Sequence, residues 1–232
     1  MKTIQKITLA LLTMVSVSSL SASQLEIANA GAATVDAIIT GDVKKTGAGA
    51  LTISAAIAGD LEVNAGSVVI AVNAVASSLD MTGGDLSCGA FNVPATLMSS
   101  PATLTSTAAG NLGVLTGTQK MTLAGAFDRT LGANASATPM DISGYAVIGA
   151  AGSVLPTAAT AVKSGGKLKF AGAALSSIAG ATTVESGGEV EVAAAVDTVP
   201  LMVDASGSLA FAYGSKITLG AASVWSIPVT AS

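Results

Sequence analysis

The sequence predicts an all-β protein: a right-handed parallel β-helix, or β-solenoid, of about nine coils built from a repeat of about 20 residues. Three observations lead there. Segments of one design recur as VKSGGKLKF (Val162 to Phe170), VESGGEVEV (Val184 to Val192) and VDASGSLAF (Val203 to Phe211). Each opens on an apolar residue, passes through a small or glycine turn and then alternates, as in Lys167-Leu168-Lys169-Phe170, which marks a half-buried strand. The second observation is charge register: Lys163, Lys167 and Lys169 precede Glu185, Glu189 and Glu191 by one and the same interval, so a single stacking places three opposite charges side by side. The third is composition. Half of the 232 residues are hydrophobic but only 3% are aromatic, and there are 26 glycines, which suits a thin, regular aliphatic core.

The register that pairs these charges also sets Val162 on Val184 and Val203, Leu168 on Val190 and Leu209, and Phe170 on Val192 and Phe211. Upstream the Gly-x-Leu/Val core recurs at Gly66-Ser67-Val68, Gly84-Asp85-Leu86, Gly110-Asn111-Leu112 and Gly152-Ser153-Val154. The pattern weakens from about 91 to 138, where Pro94, Pro101 and the run Ser99 to Ala109 suggest loops or irregular coils. A strand over Lys120 to Ala124 and a turn at Asp128-Arg129 follow.

The N-terminus has the tripartite form of a secretory signal: Lys2 and Lys6, an apolar run from Ile7 to Leu20, then SASQ. Cleavage points follow Ser21, Ser23 or Ala30, with Ser23 favoured, so the expected organisation is a signal peptide over 1–23 and one solenoid domain over 24–232. The apolar run is shorter than the roughly 20 residues a membrane helix needs. Without Lys2 and Lys6 the chain carries eight basic and fourteen acidic residues. Such sparse basic charge excludes a nucleic-acid footprint and speaks against an anionic membrane as partner. Cys88 is the lone cysteine, so no internal disulfide forms.

Val43 to Ile70 resembles the autotransporter-associated β-strand repeat of bacterial passenger domains. Lys45-Thr46-Gly47-Ala48-Gly49, Leu51-Thr52-Ile53-Ser54 and Val63-Asn64-Ala65-Gly66 match its positions, and a looser copy spans Leu168 to Val192. The resemblance implies a secreted or surface-displayed parallel β-helix with an adhesive or structural role. Such proteins carry a C-terminal translocator barrel, for which no room is left before Ser232, so export by another route is expected.

Chemistry is thinly represented. There is no histidine, the commonest general base and metal ligand. Glu185, Glu189 and Glu191 form the densest carboxylate group, but alternation places Glu189 and Glu191 opposite lysines on a solvent face, as a charge ladder and not an acid/base pair. Asp80 and Asp85 flank Gly83-Gly84 without the ligand number calcium requires. Arg129 reads as the surface partner of Asp128, and Cys88, aligned with Val192, as a small core residue. Trp225 reads as an end cap, with Pro228 stopping further pairing. Thr103, Thr105 and Thr107 alternate as a short threonine row.

The expected function is a non-enzymatic structural β-solenoid, exported to the cell surface or beyond, without metal or cofactor. Its expected partner is itself, through end-to-end assembly. The alternative is an adhesin or ligand-binding passenger gripping a host surface or glycan with loops of residues 94–118.

Overall fold

The computed structural model describes residues 4–9, 13–15, 19–20, 24–36, 38–71, 74–75, 77–108, 110–125, 128–131, 138–148, 154–155, 158–170, 176–178, 180–192, 201–203, 208–219 and 230–231. Every element there is a β-strand, and the strands pair in parallel along three main sheets of seven, twelve and eight members. The chain visits the sheets in turn, so each strand pairs with its counterpart one coil away, as in Val43 with Leu61 and Leu61 with Leu79. This is a parallel β-solenoid. Short sheets of two and three strands take a side's place where a main sheet is interrupted.

Seven consecutive turns carry a strand in both the first and the second sheet, and the second sheet runs on to twelve strands. The expectation of nine coils assumes a uniform coil of about 20 residues, whereas coil length varies. The interval between stacked partners is shortest where Ala50 meets Ser67, Leu79 meets Thr96 and Asp128 meets Tyr145, and little longer where Leu25 meets Val43 and Met121 meets Met140. It widens where Lys167 meets Glu189, and again where Glu189 meets Lys216.

Alternation explains why these segments form strands and which side they bury. Lys167–Phe170 and Glu189–Val192 bury their apolar positions and leave their charges outward, and Gln24–Asn29 does likewise. The inward positions stack into ladders, the longest running through Leu51, Val68, Leu86, Leu104, Leu123, Ile142, Val162 and Val184 in the second sheet. Each of these is 1% exposed or less. Burying such an aliphatic side chain contributes about 1.5–3 kcal/mol, and no thick aromatic core is required.

The register read from the charges is present: Val162 pairs with Val184, Leu168 with Val190 and Phe170 with Val192. The third copy is not where the sequence placed it. Val184 meets Phe211 and not Val203, Val190 meets Ile217 and not Leu209, and Val192 meets Leu219 and not Phe211. This coil is longer than its predecessor, which carries Leu201–Val203 into the short three-stranded sheet beside Ser176–Ile178. Gly110-Asn111 likewise belongs to the third sheet, paired with Asn92, and the continuation of Leu86 is Leu104.

The stretch 91–138, expected as loops or irregular coils, carries seven strands among its described residues, from Phe91–Asn92 to Asp128–Leu131, and Met121–Ala124 is the strand expected over Lys120 to Ala124. Pro94 and Pro101 each immediately precede a strand, Ala95–Met98 and Ala102–Ser106, positions at which a missing N–H does not break the ladder. Asp128-Arg129 opens a strand paired with Tyr145–Ile148 and is not a turn. Ser153, Trp225 and Pro228 lie outside the described residues.

Candidate functional site

Because charge alternates with apolar residues in the C-terminal coils, the third sheet carries its ions outward in ladders across coils. Lys167 Nζ lies 2.5 Å from Glu191 Oε2 and 3.4 Å from Glu189 Oε1, and Lys169 Nζ lies 3.1 Å from Glu191 Oε1. Lys216 Nζ closes the next rung at 3.4 Å from Glu189 Oε1, and the Lys167 ammonium sits 5.3 Å from the Tyr145 ring centroid. A second ladder runs Lys120, Asp141, Lys163, Glu185, with separations of 3.0, 4.0 and 2.5 Å.

Hydrogen bonding from Lys167, and then from Lys169, holds the Glu191 carboxyl below its usual range. The hydrogen bond to Glu191 raises both Lys167 and Lys169, and the one to Glu185 raises Lys163. These shifts favour charge on every partner, the opposite of what a general acid needs. Every lysine from Lys44 to Lys216 is either ion-paired or, in the case of Lys45, buried.

Asp80 and Asp85, close in sequence, are separated by the fold. Asp80 lies in Leu79–Met81 of the first sheet and Asp85 in Asp85–Cys88 of the second. The Asp85 carboxylate accepts the Thr103 N–H at 2.8 Å. Burial pushes the Asp80 carboxyl up, opposed by a hydrogen bond from Ser99. Asp80 joins Asp42, Asp60 and Glu62 along a shallow groove on the first sheet, with Lys44 Nζ 2.8 Å from Glu62 Oε1. There Asp60 Oδ1 accepts the Ser78 hydroxyl at 2.8 Å and Asp42 Oδ1 accepts the Asp60 N–H at 3.1 Å. Among the described residues no three His, Cys, Asp or Glu side chains converge as a metal site.

Cys88 is buried as expected, but it stacks between Ile70 and Ser106 in the second sheet, whereas Val192 lies in the third. Thr103 and Thr105 face outward on Ala102–Ser106. Their neighbours Asp85 and Thr122, and Ser87 and Ala124, make a mixed face, not a threonine row.

Two residues that sequence reading passed over occupy the interior corner between the first two sheets. Lys45 is fully buried, its ammonium donating to the carbonyls of Gly47 and Ala65. Burial lowers its pKa. Asn29 Nδ2 donates to Gly31 O at 2.6 Å and Ala50 O at 2.8 Å, while its buried Oδ1 has no hydrogen-bond partner among the described residues. The signal for Lys45 was parity: in Asp42-Val43-Lys44-Lys45 it shares the inward phase of Val43.

The remaining feature is the ends. Ile4–Leu9 is the outermost strand of the first sheet, Thr13–Val15 and Thr230–Ala231 bound the second, and Lys216–Leu219 bounds the third. Among the described residues each of these edge strands pairs on one side only, leaving a row of backbone donors and acceptors. Among the same residues no helix is long and apolar enough to cross a membrane.

No known family model matches the chain, and no curated protein or solved structure matches it. The fold defines its class, a parallel β-solenoid whose C-terminal charges are engaged in register between coils.

Proposed function

We propose that the chain is an exported structural solenoid that assembles end to end on the cell surface or in an extracellular matrix. The observation that supports this reading is that, among the described residues, the outermost strands Thr13–Val15 and Thr230–Ala231 of the second sheet each pair on one side only. Head-to-tail contact between such ends is heterologous and does not close, so it propagates as a fibre. The charge ladders support the same role: among the described residues of the C-terminal half, lysines and glutamates pair within the chain and leave no single-sign patch along the third sheet. The signal-like Lys2, Lys6 and apolar Ile7 to Leu20 run supports export, and the resemblance of Val43 to Ile70 to passenger repeats supports a surface location. We take the solenoid as right-handed, the hand of nearly all parallel crossovers. The adhesin alternative relied on protruding loops over 94–118, where the described residues continue the strands, so the structural reading is preferred.

Negative-stain electron microscopy of residues 24–232 over a range of concentrations tests this. Filaments that lengthen with concentration are expected. Short rods of one length at every concentration overturn the reading.

A further inference from the structure

A buried polar atom without a partner is the exception in a folded interior and calls for a ligand or a reason. The corner between the first two sheets holds one. The turn of residues 46–49 joins Asp42–Lys45 to Ala50–Ile53, and two buried side chains bond the carbonyls at its two ends. Lys45 Nζ donates to Gly47 O, and Asn29 Nδ2 donates to Ala50 O at 2.8 Å. The Asn29 backbone oxygen accepts the Gly49 N–H at 2.9 Å, which sets Asn29 directly against the same turn. Its carboxamide has one orientation: Nδ2 faces two acceptors, Gly31 O at 2.6 Å and Ala50 O, and reversing it would set oxygen against oxygen. Oδ1 is then the atom left without a hydrogen-bond partner among the described residues. Lys45 has the matching surplus, since an ammonium carries three N–H donors and two of them serve Gly47 O and Ala65 O.

We propose that this corner is a binding site for one internal water, which accepts the third Lys45 N–H and donates to Asn29 Oδ1. The chemistry selects the ligand. A metal cation would satisfy Oδ1 but would meet the Lys45 ammonium, and an anion would suit the ammonium but would meet Oδ1 and the carbonyls of Gly31, Gly47, Ala50 and Ala65. An apolar guest satisfies neither group. Water offers an acceptor to one and a donor to the other, and its second proton can go to a carbonyl, which has two lone pairs. With Asn29 2% and Lys45 0% exposed, both polar heads are shut off from bulk solvent, so the water they hold exchanges slowly. Its role is to join three coils. Leu25, Val43 and Leu61 stack in succession, which puts Asn29, Lys45 and the Ala65 carbonyl on successive coils, and the water links the Asn29 carboxamide to the Lys45–Ala65 bond as one hydrogen-bonded unit.

The test uses the full chain, 1–232. A crystal structure that shows ordered solvent is expected to place one water within about 2.7–3.2 Å of both Asn29 Oδ1 and Lys45 Nζ. In solution, magnetic relaxation dispersion of water oxygen counts the long-lived internal waters. Lys45→Met keeps the apolar stem and removes the donor, and is expected to lower that count by one, with far-ultraviolet circular dichroism reading the fold. A crystal structure in which Nζ bonds Oδ1 directly, or in which no water bridges the two, overturns the site. An unchanged count in folded Lys45→Met overturns it as well. Should Lys45→Met not fold, the crystal structure of the unsubstituted chain decides alone.

Discussion

Gly84 and Gly165 share one backbone conformation and differ in what lies beside them, which makes them a matched test of coil stacking. Both turn with positive φ, +76° and +77°. Alanine in that region costs about 1–2 kcal/mol from its own Cβ. At Gly165 nothing lies within 4 Å of the added Cβ, so that strain is the whole expected loss. At Gly84 the Cβ would sit 2.2 Å from the carbonyl oxygen of Gly66 in the neighbouring coil. Ordinary contact requires the strands to part by about 1 Å there. That parting breaks the hydrogen bond from Asp85 N to Gly66 O, now 3.0 Å, and loosens Leu86 on Val68. With a hydrogen bond worth about 0.5–1.5 kcal/mol and some packing lost, Gly84→Ala should cost about 3 kcal/mol or more. A solenoid opens locally, so native-state hydrogen exchange is the assay. Protection at the amides of 67–70 and 85–88 should fall by about a hundredfold in Gly84→Ala, against roughly tenfold at 167–170 in Gly165→Ala. Equal losses in the two variants would refute close backbone approach as the reason for glycine in the N-terminal turns.

Glu191→Gln removes the carboxylate shared by Lys167 and Lys169 and should cost no more than about 1 kcal/mol per pair, a loss that shrinks at high salt; melts at two ionic strengths check it. Since Glu191 titrates below its unfolded value, its contribution is complete above about pH 4.3 and disappears as pH falls through the folded value, so wild type and variant should converge in acid. Phe170→Ala, at a fully buried site between Ile148 and Val192, should cost about 3–5 kcal/mol, with exchange protection lost in the adjoining coils and retained at 43–70. Lys45→Met tests the buried ammonium: with the folded pKa lowered, the unfolded chain binds more protons between the two values, so the wild type should gain on the variant as pH rises toward the unfolded lysine value of about 10.4, read by urea unfolding.

The fold was legible where two patterns shared one period. In Val162 to Val192 charge and apolar alternation repeat at the same interval, and the structure pairs Lys167 with Glu189, Leu168 with Val190 and Lys169 with Glu191 accordingly. The next copy was misread because VDASGSLAF imitates the design at the wrong distance. The true counterpart is Phe211 to Leu219, whose Gly214 O accepts the N–H of Gly187 just as Gly187 O accepts that of Gly165. Short strands between turns leave too few positions for a period to assert itself, and Pro94 and Pro101 read as loop signals although they only mark strand starts. The charge ladders were legible for the same reason as the register. Lys45 and Asn29 were not, because inward polar residues contradict the hydrophobic pattern that identifies inward positions, and only their carbonyl partners at the corner account for them.

The variation in coil length bears directly on end-to-end assembly. A short coil at one end and a long one at the other would be poor mates if the extra residues lengthened the strands. They do not: Ala50–Ile53 and Asp85–Cys88 in the short coils have four residues each, and so do Ala181–Val184 and Ser208–Phe211 in the long ones. The added residues fall in sequence between strands, as 193–200 do between Glu189–Val192 and Leu201–Val203. Across these four strands of the second sheet the length is the same although the coils differ. What a second copy meets at the joint is a backbone ladder, and backbone spacing is the same for every parallel pair whatever the side chains. Side chains still decide register, and here the joint differs from an internal rung: the last described rung of the third sheet offers Lys216, while the coil that begins at Gln24 offers Ile38 and Ile39 on its third side. Lacking a matched ion pair at that side, a head-to-tail joint should hold by backbone bonds and apolar contact. Filaments should therefore resist salt and break preferentially at the joints under shear, a distribution of fragment lengths in whole protomers that electron microscopy can count.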